Sequence, residues 1–527
     1  MKRINLIIIL MFFIFSVSSK ELKNEKSILK TCIYSEPRSL DTRKTSDYIS
    51  TQLLFLLYRG LMHYNSDNTL VCSLAKSYHI SKDKKKYTFH LKDAFWSDGS
   101  AITAYDFEKS WKTILSPAFP SPSCELLYDI KNAENAKKAI VGIDEVKINA
   151  TDAKTLVVEL ENPSPYFLFL TSLPTYFPMP SNIIEKKDNL NEEVELIYSG
   201  PYKLKKWLRN NQLILEKNPY FYNSKSIDID LIHFYVIPNE NTAFQMYENN
   251  EVDFLSSFLS PLTVDILGKV LLRNDVKVVP ILGFSFLTFN VDIFPFSNPN
   301  LRKAFSLAID RKSIVQNITQ LDEKIATRCL PFPISSAQNS ELIKSNDKKL
   351  ALKYFNKGLE ELNISKENLN ISLTSGSYII HKKEAESLKQ MWEKAFDIQI
   401  KLNICEDKIA LSKFQSHDYQ IGLARLIMKY NDPISIFERF KYKFHPKNYS
   451  SWEDKKYIKI LDYAKKTSDV KKRSELIEIA ESLLLDAMPI APLYFYNYTL
   501  LTKKRITGLY NNSVGDLIFD EVKMSER

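Results

Sequence analysis

The segment Asp418–Pro433 reads DYQIGLARLIMKYNDP, and its middle part, Ile421–Met428, is an almost continuous apolar run. Such a run predicts a β-strand that is covered on both faces. Two cations, Arg425 and Lys429, interrupt and end this pattern. Because side chains alternate between the faces of a strand, we expect both cations on one face, roughly 13 Å apart. A buried cation needs an anion or hydrogen-bond acceptors. Two alternatives follow. Each cation is either solvated or paired with an internal carboxylate, or the two cations face a cleft and bind an anionic part of a ligand.

Around this segment, strand patterns alternate with helix patterns. Residues 371–374 and 398–404 are predicted strands on either side of a predicted helix at 382–396. Two further extended runs occupy residues 276–290 and 488–498, and the first is long enough to pass between two domains. Strands and helices that alternate on both sides of such a division are typical of an α/β protein with mixed sheets.

The chain has 527 residues, of which 44% are hydrophobic and 26% charged, and this length predicts two to four domains. The first nineteen residues have the pattern of a signal peptide, with a basic start at Lys2 and Arg3, an apolar run at Ile4–Phe15 and small residues up to Ser19. The first cysteine, Cys32, does not directly follow this run as a lipoprotein cysteine does. We therefore expect export to the periplasm, cleavage near Ser19 and no lipid anchor.

Short motifs that mark common enzyme classes are absent from the sequence. No two glycines lie closer than seven positions apart, which excludes both G-x-G-x-x-G and the P-loop. G-x-S-x-G and H-E-x-x-H are also missing. The five cysteines lie at least 40 residues apart, so no Cys-x-x-Cys metal pair exists. The formal charge of +9 is spread along the chain rather than clustered. We predict no catalytic residue, metal, cofactor or nucleic-acid partner.

A series of short motifs occurs in order along the chain: Glu36-Pro-Arg-Ser-Leu-Asp41, Leu57-Tyr-Arg-Gly-Leu61, Trp96-Ser-Asp-Gly99, Ser199-Gly-Pro-Tyr-Lys-Leu204, Leu301-Arg-Lys-Ala-Phe-Ser-Leu-Ala-Ile-Asp-Arg311, Tyr430-Asn-Asp-Pro433 and Met488-Pro-Ile-Ala-Pro492. The series resembles the extracellular solute-binding proteins of bacterial peptide ABC transporters, the oligopeptide- and dipeptide-binding group. The resemblance extends nearly from the expected cleavage site to the C-terminus. It implies a monomer that captures a peptide or peptide-like solute and delivers it to an inner-membrane ABC permease.

The resemblance also implies a two-lobed periplasmic binding protein that closes over its ligand. One lobe is expected to combine a core domain with an extra domain, and the other lobe to be a single domain. The expected ranges are 20–47, 183–284 and 489–527 for the core domain, 48–182 for the extra domain and 285–488 for the second lobe. The hinge is expected where the chain crosses between the lobes near residues 284 and 488.

Nine residues match the family segments that line the ligand cleft: Glu36, Pro37, Arg38, Phe286, Arg425, Lys429, Tyr430, Asp432 and Tyr494. In the family's peptide binders the strand typically reads Ala-Gly-Trp-x-Ala-Asp-Tyr, and its Asp meets the α-ammonium of the peptide. Here residues 424–430 read ARLIMKY, so that Arg425 replaces the Gly and Lys429 replaces the Asp. A lysine at this position repels an amine in a partly desolvated cleft.

This charge reversal leaves the kind of ligand open. The first expectation is a peptide or peptide-like solute. An alternative is an anionic solute, such as glutathione, an acidic or N-blocked peptide, or a cell-wall peptide. A further alternative, from another class, is a scaffold or signalling module that keeps the fold without transport.

Overall fold

The computed structural model describes residues 26–45, 47–181, 196–262, 264–331 and 341–525. The expected signal peptide at 1–19 and the expected boundary between residues 182 and 183 lie outside these ranges. In chain order, the strands are β1 (Ile28–Ile33), β2 (Met62–Tyr64), β3 (Leu70–Cys72), β4 (Ala75–Ile80), β5 (Lys86–Leu91), β6 (Ile148–Asp152), β7 (Thr155–Glu159), β8 (Tyr202–Leu208), β9 (Gln212–Lys217), β10 (Leu231–Val236), β11 (Phe254–Ser256), β12 (Val276–Phe289), β13 (Ile371–Gly376), β14 (Ile400–Cys405), β15 (Ile421–Ile427), β16 (Ile490–Thr502), β17 (Ile506–Thr507), β18 (Tyr510–Asn511), β19 (Leu517–Ile518) and β20 (Lys523–Met524).

The α-helices, again in chain order, are α1 (Tyr48–Leu57), α2 (Ala104–Leu115), α3 (Ala133–Lys137), α4 (Phe167–Leu170), α5 (Glu240–Glu248), α6 (Val264–Val270), α7 (Pro299–Leu307), α8 (Arg311–Ile314), α9 (Lys348–Leu362), α10 (Ile379–Phe396), α11 (Asp407–Gln415), α12 (Ile434–Phe437), α13 (Lys455–Lys466) and α14 (Val470–Ala487). Within the described ranges, no helix combines the length and the hydropathy that a membrane crossing requires.

A ten-stranded mixed sheet runs through the molecule in the order β14-β13-β15-β12-β16-β11-β1-β10-β9-β8. β12 and β16 lie in its middle and pair antiparallel, with Val276 opposite Leu501 at one end and Thr288 opposite Ile490 at the other. Parallel pairs flank them, β1 with β10 on one side and β13 with β14 on the other. The mixed α/β fold is therefore confirmed, and the two long predicted runs are the strands that join its halves.

We call the half that contains β1 lobe 1 and the half that contains β13 lobe 2. A separate antiparallel sheet, β4-β5-β7-β6, belongs to lobe 1 and lies where the extra domain is expected. β5 buries Tyr87, Phe89 and Leu91 on one face, and α2 covers this sheet with the buried rings of Phe107 and Trp111. The two lobes are those that the motifs imply, whereas the individual domain boundaries stay predictions.

One stretch of the extra domain combines two short helical pieces. The chain forms a 3₁₀ turn at Cys124–Leu127 and then α3. Between them, Ile130 pairs as a single β-bridge with Leu160. The 3₁₀ turn therefore projects from the extra domain, and its Glu125 and the following Asp129 both reach lobe 2.

Two buried arginines of the Leu301–Arg311 motif bind the backbone just before β16 and at its start. Arg302 donates hydrogen bonds to the carbonyls of Ala487 and Met488, at the end of α14, and to that of Phe296. Arg311 donates to the carbonyl of Pro492, within β16 itself. Burial lowers the pKa of both guanidinium groups to about 10. The motif thus fixes one of the two crossings between the lobes.

Candidate functional site

The site lies where the ends of parallel strands from the two lobes face each other, as is usual for ligand sites in open α/β sheets. Tyr34 directly follows β1 of lobe 1, and Tyr378 precedes α10 after β13 of lobe 2. Burial raises the pKa of Tyr34 and nearby Asp47 raises it further, whereas the charge of Arg425 lowers it. Arg425 of lobe 2 is therefore close to Tyr34 of lobe 1, across the cleft.

Arg425 lies on β15 opposite Ser285 of β12, and its side chain is exposed. Its Nη2 is 2.6 Å from Nδ1 of His381, and its Cζ is 5.9 Å from the centre of the Tyr378 ring. Burial and the charge of Arg425 lower the pKa of His381 to about 4. The imidazole is therefore neutral, and Nδ1 accepts a hydrogen bond from the guanidinium. Within the described part of the chain, no carboxylate oxygen pairs with Arg425 at 4.0 Å or less.

A buried acid supports this guanidinium from within lobe 2. Glu384 on α10 is fully buried and accepts a hydrogen bond from the hydroxyl of Tyr494. Burial lowers the pKa of Arg425, but Tyr496 and Glu384 outweigh this effect, so that the pKa is raised overall. The arginine stays charged, and its positive charge remains available to a ligand.

Glu384 predicts a dependence of stability on pH. Burial raises its pKa from 4.5 to about 7, against the lowering effects of Tyr494 and Arg425. A carboxyl group with a raised pKa in the folded state stabilises fully below its unfolded pKa and loses this contribution as the pH rises through about 7. Glu384→Gln mimics the protonated acid. We therefore expect the melting temperature of this variant, relative to that of the wild type, to increase as the pH rises from 4.5 to 7.5.

Asp516 is a second buried acid, and burial raises its pKa to about 6. Its contribution to the pH dependence is the same in the wild type and in the variant, so it cancels when the two melting temperatures are subtracted. A difference in melting temperature that stays constant over this pH range contradicts the prediction for Glu384.

Lys429 lies outside the strand, which ends at Ile427. Its Nζ is 3.3 Å from Oγ of Ser123 and 3.7 Å from Oε1 of Glu125, both in the extra domain of lobe 1. Burial and the charge of Lys447 lower the pKa of Lys429 to about 7, while Glu125 opposes them. Because β15 ends at Ile427, strand alternation does not extend to Lys429, and the expectation that both cations share one face stays a prediction. Lys429 has a carboxylate oxygen within 4.0 Å, whereas among the described residues the carboxylates of Glu384 and Asp407 act on Arg425 only from a longer distance.

The residues that follow Lys429 also contact protein groups. The ring of Tyr430 stacks on that of Tyr166 in the extra domain, with centroids 5.2 Å apart. The carboxylate of Asp432 receives two hydrogen bonds, of 2.8 and 2.9 Å, from the guanidinium of Arg473. Tyr430 therefore lies at the interface between the lobes, and Asp432 connects two parts of lobe 2.

The other predicted residues divide into buried and accessible ones. Phe286 packs against Phe284 in the core, and Tyr494 is buried behind Arg425. Pro37 is buried, whereas the side chain of Arg38 is exposed. Glu36 accepts hydrogen bonds from Trp207 Nε1, at 3.0 Å, and from the backbone amide of Asn210, at 2.6 Å. A ligand-binding role for any of these residues stays a prediction.

The structure places residues that the sequence patterns missed close to the two cations: Tyr34, Tyr378, His381, Glu384 and Tyr496 near Arg425, and Glu125 near Lys429. His381 is hydrogen-bonded to Arg425. The two residues are 44 positions apart, and no local pattern connects them. Glu125 is still farther from Lys429, so only the approach of the two lobes brings them together.

Two lobes joined by crossing strands, with an accessible cation and aromatic rings between them, define a protein that encloses a solute by closing. The chain belongs to the family described as bacterial extracellular solute-binding proteins, family 5, whose model for the middle region matches residues 69–448.

Individual relatives agree with this membership. The chain is 33% identical over 501 residues to the oligopeptide-binding protein OppA of Bacillus subtilis, which is 94% of this chain and 92% of that protein. Its fold is similar to a periplasmic oligopeptide-binding protein from Borrelia burgdorferi, with a TM-score of 0.86, 28% identity and coverage of 95% and 100%. It is also similar to Haemophilus influenzae OppA in complex with RPPGFSPFR, with a TM-score of 0.84, 26% identity and coverage of 95% and 99%. The resemblance read from the motifs is confirmed.

Proposed function

We propose that this protein is the substrate-binding component of an ABC importer, and that it carries a peptide or peptide-like solute in its cleft to an inner-membrane permease. The observation that carries the proposal is family membership over most of the chain, together with relatives named for oligopeptide binding. A peptide in the complex of one structural relative supports the same ligand class. Closure over the solute is a shift between open and closed populations, limited by the ligand's preference for the closed form.

Binding is tested on the protein purified from its own cells. Native mass spectrometry is expected to show a co-purified solute, and titration calorimetry is expected to show binding to members of a peptide library. Peptide recovered intact after long incubation is expected as well, because the protein binds without cleaving. Failure to bind any peptide, amino acid, sugar or metal chelate with a folded protein contradicts the proposal and favours a scaffold or signalling role.

The solute is proposed to carry an anionic group that meets Arg425. The Arg425 guanidinium is exposed, and in the described part of the chain its only direct polar partner is the neutral imidazole of His381. Its remaining donors and its charge are therefore available to a ligand. The planar donor fork of arginine fits a carboxylate in a bidentate manner. Glutathione, an acidic or N-blocked peptide and a cell-wall peptide all have such a group, and so does the C-terminus of an ordinary peptide.

Arg425→Gln is expected to weaken binding of a carboxylate-bearing peptide by about 1.4–2.8 kcal/mol, which is roughly ten- to a hundred-fold in Kd. The expected loss of affinity is modest because Arg425 is exposed and its charge is partly screened by solvent. Titration calorimetry with the acid and with the C-terminal amide of one peptide isolates this contact, since only the acid is expected to lose affinity. Lys206→Gln on the exposed part of β8 is the matched control and is expected to change neither affinity.

The chain is further proposed to act as a monomer in the periplasm after cleavage near Ser19, without a lipid anchor. Support comes from the basic and apolar pattern of its first nineteen residues and from relatives described as periplasmic. Amino-terminal sequencing and intact mass of the protein from a periplasmic extract test the cleavage position and the absence of lipid. Light scattering of the same sample tests the oligomeric state.

A further inference from the structure

Opposite charges face each other across the lobes, beside the cleft. On the extra domain these are the carboxylates of Glu125 and Asp129, and on lobe 2 the ammonium groups of Lys429, Lys447 and Lys465. Oε1 of Glu125 is 2.7 Å from Nζ of Lys447 and 3.7 Å from Nζ of Lys429. Oδ1 of Asp129 is 3.6 Å from Nζ of Lys465. We call these five residues the clasp.

The clasp is more than a pair of surface contacts. The Glu125, Lys429 and Lys447 side chains are only 30%, 32% and 28% exposed, so solvent screens their attraction less than at an open surface. The stacked rings of Tyr166 and Tyr430 lie next to it, and the Tyr166 hydroxyl donates to Asp129 at 3.3 Å. Charged and aromatic contacts together join the extra domain to lobe 2, in an arrangement that exists only when the lobes approach each other.

The balance of charge around Glu125 is positive. Burial raises the pKa of Glu125, but Lys429 and Lys447 outweigh burial and lower the pKa to about 2, so the carboxylate stays ionised. Arg439 adds a third cation near this carboxylate. The half-buried His445 beside it is neutral, because desolvation lowers its pKa to about 4. The Glu125 carboxylate is thus shared among Lys447, Arg439 and Lys429, and Lys429, whose pKa is lowered to about 7, is only partly protonated near neutral pH. An additional ammonium group from a ligand is repelled here.

We propose that Glu125 is a specificity-determining residue of the cleft: it binds the lysines of lobe 2 from the opposite lobe, favours closure, and leaves this corner without a place for a ligand ammonium group. The inference rests on the proposed function and narrows its substrate class. The preferred solutes are peptides or peptide-like molecules that have no free amine at this end, such as N-blocked peptides, and that offer their anionic group to Arg425.

Glu125→Gln tests the closure half of the proposal, and it needs no ligand. Small-angle scattering of the ligand-free protein is expected to show a larger radius of gyration for the variant than for the wild type, because the lysines lose their shared anion. Glu134→Gln, which breaks an ion pair within α3 alone, is the matched control and is expected to leave the radius unchanged. The double change Glu125→Lys with Lys447→Glu restores opposite charges and is expected to restore the wild-type radius.

One peptide with a free and with an acetylated amino terminus tests the specificity half. The wild type is expected to bind the acetylated peptide about ten-fold more tightly than the free-amine peptide. Glu125→Gln is expected to weaken binding of the acetylated peptide by a similar factor. Equal radii for Glu125→Gln and the wild type overturn the clasp, and equal affinity of the wild type for both peptides overturns the specificity. If the wild type binds neither peptide nor any other library member, the proposed function fails, while the scattering result still decides the clasp.

Discussion

Lys429→Asp is expected to weaken binding of the natural ligand by about 2–5 kcal/mol, the usual range when a desolvated charge pair is broken. The new carboxylate faces Glu125 across the lobes, so an attraction at 3.7 Å becomes a repulsion. The closed form is then populated less, and a ligand that binds the closed form loses affinity in proportion. The same change places a carboxylate where the resemblance implies an ammonium-binding Asp. We expect the attraction of this carboxylate for an ammonium group to outweigh the loss of closure, so that free-amine peptides bind better.

Titration calorimetry with a free-amine peptide and its acetylated form measures both effects. Thermal unfolding without ligand is expected to change little, because Lys429 contacts the other lobe and not the core. Lys459→Asp, at an exposed position of α13, controls for reversal of a lysine charge in lobe 2. Unchanged affinity for both peptides, or a large loss of stability without ligand, contradicts this account of Lys429.

Arg302→Ala is expected to lower the free energy of unfolding by about 3–5 kcal/mol, because each buried group left unsatisfied costs about 1–3 kcal/mol. The variant leaves the carbonyls of Phe296, Ala487 and Met488 without this donor. Because Ala487 and Met488 directly precede β16, we also expect looser coupling of the lobes. Denaturant unfolding measures the loss, and amide exchange at residues 490–495 measures the loosening.

Lys303→Ala is the matched control for this prediction. Lys303 is the next residue of the same helix and pairs with Asp486 at 2.8 Å, but the aspartate is 83% exposed. An ion pair of this kind contributes about 0–1 kcal/mol. Equal losses from the two alanine variants contradict the role that we assign to Arg302 and indicate a general effect of changing α7.

Local patterns were sufficient for the elements that carry the fold. The apolar run Ile421–Met428 became β15, and the runs at 276–290 and 488–498 became most of β12 and β16. These elements are predictable because strand periodicity and length depend on neighbours a few residues away. The two lobes were implied by the resemblance that the ordered motifs carry. The motif Leu301–Arg311 was recognised as a pattern, yet its buried arginines act on carbonyls more than 180 positions downstream.

The partners of the cations depended on contacts that no local pattern contains. Arg425 contacts His381 at a separation of 44 positions, and Lys429 contacts Ser123 at a separation of 306 positions. Whether a charge serves a ligand or an internal partner depends on which groups surround it once the chain has folded, and on how far solvent is excluded. Sequence periodicity describes the face of a strand but not the groups opposite that face. The approach of the two lobes therefore decided that Lys429 joins the extra domain and that Arg425 remains open to the cleft.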